Sequence, residues 1–254
     1  MNVLAFFAHP DDETMLAGGT LALLAQNGNQ VHYLSATRGE GGEVGEPPLC
    51  TEDELGDVRE SELVCAVGAL GGSSLTFLGY TDPRMGEDEQ LYAYTQDVTF
   101  LAGQVAATIR QFEIEAVISH GSNGEYGHPA HVITSQAARA AVMSFEDRSL
   151  SLYTVAAIYD GHPYPRLANE DDQADLVIDI APVLEVKTKA AMCHNTQHAL
   201  FVRRRSQLAG RELSVPDVIL KQESLHWAYP AAKDGDKDQL LEILSPWSLD
   251  FSEK

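Results

Sequence analysis

Val3-Leu4-Ala5-Phe6-Phe7-Ala8-His9-Pro10-Asp11-Asp12-Glu13 lies close to the start of the chain. Its apolar run, residues 3–8, has the length and composition of a buried parallel strand. Pro10 forces a turn. Met15, Leu16, Leu21, Leu23 and Leu24 then follow as the apolar positions of a helix, and Asn27-Gly28 supplies a stop. A histidine and several carboxylates thus stand where a strand gives way to a helix, and in open α/β sheets ligands bind at that end of the strands. Acidic residues also suit a plain helix start, since the macrodipole favours negative charge there and Asp is a good N-cap. Capping alone does not call for His9.

Outward from this stretch, strand-like and helix-like segments alternate. Residues 31–34 read as a strand, 57–70 as a helix (Val58, Leu63, Val64, Val67, Leu70), and 75–78 as a strand. Phe100, Leu101, Val105 and Ile109 mark a helix, 116–119 a strand, and 131–143 another helix. Strands at 152–158 and 176–180 and a helix at 182–193 follow. This βαβ rhythm predicts an α/β fold: a mostly parallel sheet with helices on both faces and a site at the carboxyl ends of its strands. Two long segments, 37–56 and 79–95, leave strands at that same rim and read as pocket walls. The last 25 or so residues, around Leu240, Leu241 and Ile243, read as a loosely patterned acidic tail. Ala17-Gly18-Gly19-Thr20 falls inside the first helix and lacks the glycine order of a dinucleotide fingerprint.

The chain has 254 residues and a formal net charge of −21. That length suits one large α/β domain or two small ones. The charge argues against a nucleic-acid or anionic-membrane partner, because phosphate backbones demand a basic surface. The apolar runs are strand-sized, so no membrane span is expected. The first strand begins too early to leave room for a signal peptide. Cys50, Cys65 and Cys193 are odd in number and widely spaced, which reads as free thiols in a cytoplasmic protein.

A second strand-to-helix crossing occurs at His120-Gly121-Ser122-Asn123-Gly124-Glu125-Tyr126-Gly127-His128-Pro129-Ala130-His131, again with proline at a first helical position. His128 and His131, three apart, project to one side of a helical first turn. Alone, such a pair reads as a helix start with incidental histidines. If its strand lies close to the one before His9, two histidines and a carboxylate converge. That donor set leaves metal positions open, as catalytic zinc sites do, and it also serves non-haem iron. Asp11 adjoins this set without having to join it, where a base acting on water should be, and this favours hydrolysis.

The paired motifs Ala8-His9-Pro10-Asp11-Asp12-Glu13 and Gly127-His128-Pro129-Ala130-His131, with Gly18-Gly19-Thr20 between them, resemble those of the zinc-dependent de-N-acetylases. This superfamily contains the glycosylphosphatidylinositol-pathway deacetylase and the bacterial LmbE-like proteins. The resemblance extends through Thr37-Arg38-Gly39-Glu40, Arg59-Glu60-Ser61-Glu62-Leu63, Lys189 and His194-Asn195-Thr196-Gln197, over about residues 1–200. It implies one Rossmann-like domain over 1–254, with a core at about 1–200 and a C-terminal extension at about 201–254. It implies hydrolysis of an acetamide on a small amino-sugar conjugate, with zinc (or another divalent metal such as Fe2+) held by His9, Asp12 and His131. By motif position, Asp11 would be the general base and His128 would stabilise or protonate the departing amine. Tyr126 would meet the oxyanion, and Arg59 the polar part of the substrate. Many relatives carry Asp where this chain has Ala130, and a missing carboxylate lowers the pKa expected of His128.

Read from their loops, Glu40 would shape the pocket floor, and Asp82 with Arg84 would contact sugar hydroxyls or form a surface salt bridge. His194 or His198 would line the pocket. Two other functions are compatible with the residues: a zinc amidase acting on a different amide, such as a thiol conjugate, and a metal- or sugar-binding protein without turnover. A homo-oligomer is left open.

Overall fold

The computed structural model describes residues 1–145, 150–230 and 238–250. In chain order the elements are β1 (Asn2–Phe7), α1 (Asp12–Gln26), β2 (Gln30–Thr37), α2 (Leu55–Leu70), β3 (Ser74–Tyr80), α3 (Val98–Gln111) and β4 (Ala116–Ser119). A short turn of helix, α4 (Gly124–Gly127), leads into α5 (Pro129–Met143), β5 (Ser151–Val155), β6 (Ala157–Ile158), β7 (Asn169–Gln173) and β8 (Leu176–Asp179). The remainder comprises α6 (Leu184–Cys193), α7 (His198–Ala209), α8 (Val215–Val218), β9 (Gln222–Tyr229) and α9 (Gln239–Leu244).

The main sheet has the order β3-β2-β1-β4-β5-β9-β8. β1 pairs in parallel with both β2 and β4, and only β9 runs antiparallel to its neighbours. Successive residues of a strand face opposite sides of a sheet. Val3, Ala5 and Phe7 therefore join one core with Leu21 and Leu24 of α1, Leu63 and Val67 of α2 and Ala190 of α6. Leu4 and Phe6 join the other, with Leu101 and Val105 of α3 and Ala138 and Val142 of α5. Two covered faces explain why the first strand is apolar without alternation. Gly19 lets α1 approach closely, since a Cβ there would meet the Ile180 side chain at 2.5 Å. This is the Rossmann-like α/β fold expected.

The chain leaves β1 toward β2 on one side and returns through β4 on the other. The β1/β4 boundary is thus the switch point of the sheet, where a crevice opens at the strand ends.

The structure departs from expectation in three places. Cys65 and Cys193 are bonded to each other, with Cα atoms 5.8 Å apart across a sequence separation of 128. Distance along the chain misled here, because α2 and α6 pack side by side on one face. Only Cys50 remains a free thiol. Next, the segment read as a C-terminal extension supplies β9, which sits between β5 and β8, so the sheet is not complete within residues 1–200. Leu240 and Leu244 of α9 are buried against the main core, while 231–237 and 251–254 lie outside the described residues. Finally, the strand expected at 152–158 breaks at Ala156, whose φ is 52°, and β6 pairs with β7 in a separate ribbon. Among the described residues no helix is long and apolar enough to cross a membrane.

Candidate metal centre

The loops after β1 and β4 meet at the switch point, because Phe6 of β1 lies beside Ser119 of β4. Asp12 is at the middle of the resulting cluster. Its Oδ2 accepts the His9 backbone N–H at 2.9 Å and lies 3.2 Å from His9 Nδ1 and 3.4 Å from His120 Nε2. Its Oδ1 is 3.3 Å from His131 Nε2. Burial would raise the Asp12 pKa, but His131 and His120 overcome it and hold the carboxyl well below its ordinary range. His128 stacks on His131 with ring centroids 4.5 Å apart, and His9 lies 5.0 Å from His128. His128 is also the N-cap of α5, where its Nδ1 accepts the Ala130 N–H at 3.2 Å.

Glu125 buttresses this arrangement from behind. It is 4% exposed, with Oε2 3.0 Å from His120 Nδ1 and 2.6 Å from His131 Nδ1. Its Oε1 accepts from the Gly121 N–H and from Asn169 Nδ2. Burial pushes its carboxyl up, and His120 and His131 outweigh that and hold it far below the usual range. Burial works against charge on His131 too, but Asp12 and Glu125 raise its pKa to about 10. For His9, Asp82 and Asp12 likewise outweigh burial and raise it to about 9. His128 goes the other way: burial, followed by the neighbouring His131 and His9, lowers it to about 3.

Asp11 stands at the edge of the cluster with φ 109° and ψ −30°, a left-handed conformation that a non-glycine residue adopts at a cost of about 1–3 kcal/mol. Glu125 is similarly placed at φ 59°. Asp11 Oδ2 accepts from Arg59 Nη2 at 3.1 Å, and Arg59 also donates to Gly39 O and Pro10 O. Burial raises the Asp11 pKa, Arg59 offsets part of this and Asp12 adds to it, leaving the group at about 6.

Two overlapping sets of side chains bring one donor atom each within 4.8 Å of one another: His9, His128 and His131, and Asp12, His120 and His131. Residues 4–142 match the family described as PIG-L, GlcNAc-PI de-N-acetylase. The chain belongs to the PIG-L family. It is 31% identical to a 1D-myo-inositol 2-acetamido-2-deoxy-alpha-D-glucopyranoside deacetylase of Mycobacterium sp. (strain KMS), covering 84% of this chain and 80% of that one. Among solved structures, the N,N'-diacetylchitobiose deacetylase of Pyrococcus horikoshii superposes with a TM-score of 0.60 at 19% identity, covering 89% of this chain and 82% of that chain. A 4-carboxy-2-hydroxymuconate hydratase of Pseudomonas putida KT2440 superposes equally well, with a TM-score of 0.60 at 20% identity, covering 93% and 99%. At such identity the likeness shows the fold alone, so the chemistry has to be argued from the site.

The donor set of this PIG-L family chain fits a divalent metal. His9 Nε2 is buried without a hydrogen-bond partner among the described residues, although Asp82 Oδ1 lies 3.2 Å away outside bonding geometry. His131 Nδ1 is taken by Glu125, which leaves Nε2 facing Asp12. Imidazoles and a carboxylate, one imidazole braced by a second carboxylate, make up a typical zinc environment.

Other residues singled out in the sequence take definite places. Tyr126 stands at the mouth, 56% exposed, with its ring 5.7 Å from those of His128 and His131. Arg59 is 3% exposed and bonded to protein groups behind Asp11. Glu40 accepts the Asp82 N–H at 3.0 Å, tying the loop after β2 to the loop after β3. Asp82 turns toward His9; burial would raise its pKa, and His9 holds it low. Arg84 pairs at the surface with Glu52 and Asp53. His194 is fully buried and meets Glu13, while His198 packs by Phe201. Lys189 is exposed; the buried lysine is Lys187, paired with Glu223 at 2.6 Å.

His120 and Glu125 have no role assigned from the sequence. His120 follows its strand directly, much as His9 follows β1, and that parallel was the available signal. Glu125, in a glycine-flanked turn, carried none.

Proposed function

We propose that this chain is a zinc-dependent hydrolase that removes the acetyl group from an N-acetylglucosamine-type conjugate. The observation that carries the reading is the convergence of His9, Asp12, His128 and His131 at the switch point, with Asp11 half-buried beside them. His9, Asp12 and His131 are the proposed ligands. His120 is set aside because its Nε2 accepts the Ala8 N–H at 3.1 Å and its Nδ1 faces Glu125, so both ring nitrogens are occupied. Zinc, when bound, lowers the pKa of its water from about 15.7 to about 7 and polarises a carbonyl.

The chain's own residues supply the proton handling. Arg59 holds Asp11 Oδ2, leaving Oδ1 to take the proton of the attacking water. Asp11 then delivers that proton to the departing nitrogen, so acetamide plus water becomes amine plus acetic acid, whose proton is lost to leave acetate. With Nδ1 accepting from Ala130, His128 is neutral and offers Nε2–H to the oxyanion forming on the acetyl carbon. Tyr126, a neutral phenol, offers its O–H to the same oxygen. One such donor is worth about 2.7–4 kcal/mol. Asp82 and Glu40, joined through the Asp82 N–H, shape the wall against which the sugar lies, and Arg59 stands behind Asp11.

Acetate release from a panel of acetamido sugars, lost on chelation and restored by zinc, tests this reading. An inositol-linked 2-acetamido-2-deoxyglucopyranoside, the substrate class in the mycobacterial relative's name, is its first member. Stoichiometric zinc with no acetate from any member counts against it.

Two further outcomes are expected. The base must be ionised, and its pKa is raised to about 6 by burial against the offset of Arg59. Log kcat/KM should therefore climb with pH at a slope of about one and level off near or below pH 6, the metal charge drawing the limb downward. A profile flat from pH 4.5 to 7 would argue against Asp11 as base. Glu125→Gln should weaken zinc binding by about 10–100-fold, read by competition with a chromogenic chelator, because the carboxylate fixes the ring of His131. Unchanged affinity would remove Glu125 from the support of the metal.

A further inference from the structure

His194 lies 181 residues from Glu13 in the chain, yet its Nε2 is 3.2 Å from Glu13 Oε1. Both side chains are buried, His194 completely and Glu13 to 2%. The Glu13 carboxylate faces two ways. Its Oε2 accepts the Asp11 N–H at 3.0 Å, and its Oε1 accepts from Thr14 Oγ1 as well as facing His194. We infer that His194 is a positioning residue for Asp11, acting through Glu13. This rests on the hydrolase reading of the site and adds to it the residue that steadies the base.

Asp11 needs such support. Its backbone is in a left-handed conformation that persists only where the surroundings over-determine it. Three contacts do so. The Asp11 carbonyl accepts from the Thr14 and Met15 N–H groups, Arg59 holds the side chain, and Glu13 holds the Asp11 N–H. A carboxylate that merely caps a helix end needs no imidazole brought from elsewhere in the chain. Here a buried ring fixes the carboxylate oxygen that does not touch Asp11, and this sets the direction of the other.

His194 is itself anchored. Cys193 is bonded to Cys65 of α2, and the Glu62 carboxylate of the same helix accepts from Thr196 N–H at 2.8 Å and Thr196 Oγ1 at 2.7 Å. Arg59 rides on α2 as well. The side chain and the backbone of Asp11 are thus both held from one unit, α2 with residues 193–196 fastened to it.

The test compares two polar replacements. His194→Gln places an amide nitrogen near the position of Nε2, and His194→Asn places it near Nδ1, out of reach of Glu13. In metal-free protein, the Asp11 amide should exchange its hydrogen ~10-fold or more faster in His194→Asn than in wild type, and close to the wild-type rate in His194→Gln. In zinc-loaded protein, His194→Asn should lower kcat by ~10–100-fold with zinc content unchanged and KM within about twofold, and His194→Gln should restore most of it. Equal behaviour of the two variants in both measurements overturns the assignment, as does a loss of kcat that follows a loss of zinc. If neither variant folds, nitrogen-15 NMR of the wild-type histidine rings takes their place; a His194 ring that carries no hydrogen on Nε2, and so cannot donate to Glu13 Oε1, overturns it. The exchange measurement stands even if wild type releases no acetate, which would instead count against the hydrolase reading.

Discussion

Asp11→Asn is expected to lower kcat by about 10²–10⁴-fold while zinc stays bound at wild-type stoichiometry. Asn matches Asp in shape and can still accept from Arg59, so the bond at 3.1 Å and the turn around it survive. What it cannot do is take a proton. Asp11 belongs to neither set of converging donor atoms, so the metal group is untouched. The loss corresponds to about 3–5 kcal/mol of transition-state stabilisation. Steady-state rates alongside metal analysis of the same sample check it, and a near-normal rate would take Asp11 out of the mechanism.

His131→Ala should remove metal and turnover together. This ring belongs to both donor sets and stacks against both His120 and His128. Its loss also leaves Glu125 Oε2 with His120 as its remaining imidazole partner, in a site where the carboxylate is 4% exposed. Removing one member of a buried charged pair typically costs about 3–5 kcal/mol, so the thermal midpoint should fall as well. Native mass spectrometry and thermal unfolding read the two losses. Retention of one zinc per chain in His131→Ala would place the metal elsewhere.

Much of this is legible in the sequence, for a physical reason. Strands buried on both faces leave unbroken apolar runs, and the two crossings with His-Pro signatures stand out at their ends. The lateral order of strands leaves no such mark. Nothing between residues 9 and 116 states that β1 and β4 are neighbours, yet the whole site depends on it. Lateral packing of α2 on α6 hid the Cys65–Cys193 bond for the same reason. β7, with the sequence Asn-Glu-Asp-Asp-Gln, has no apolar period to read, and β9 opens on Gln-Glu-Ser.

Within the site, the histidines drew notice by residue type, and the residues that aim them did not. Glu125 occupies a left-handed turn whose sequence looks like ordinary loop, and its two imidazole partners come from either side of it in the chain. By the motif position it matches, Arg59 is expected to face the polar part of the substrate. Its bonds instead go inward, to Gly39 O, Pro10 O and Asp11.

The backbone of Asp11 also sets evolutionary terms for this position. With φ at 109°, glycine is the residue the main chain itself would favour there. On the proposed mechanism, stability and hydrolysis therefore pull residue 11 in opposite directions. A glycine at this position would keep the scaffold and, on the proposed mechanism, lose the base.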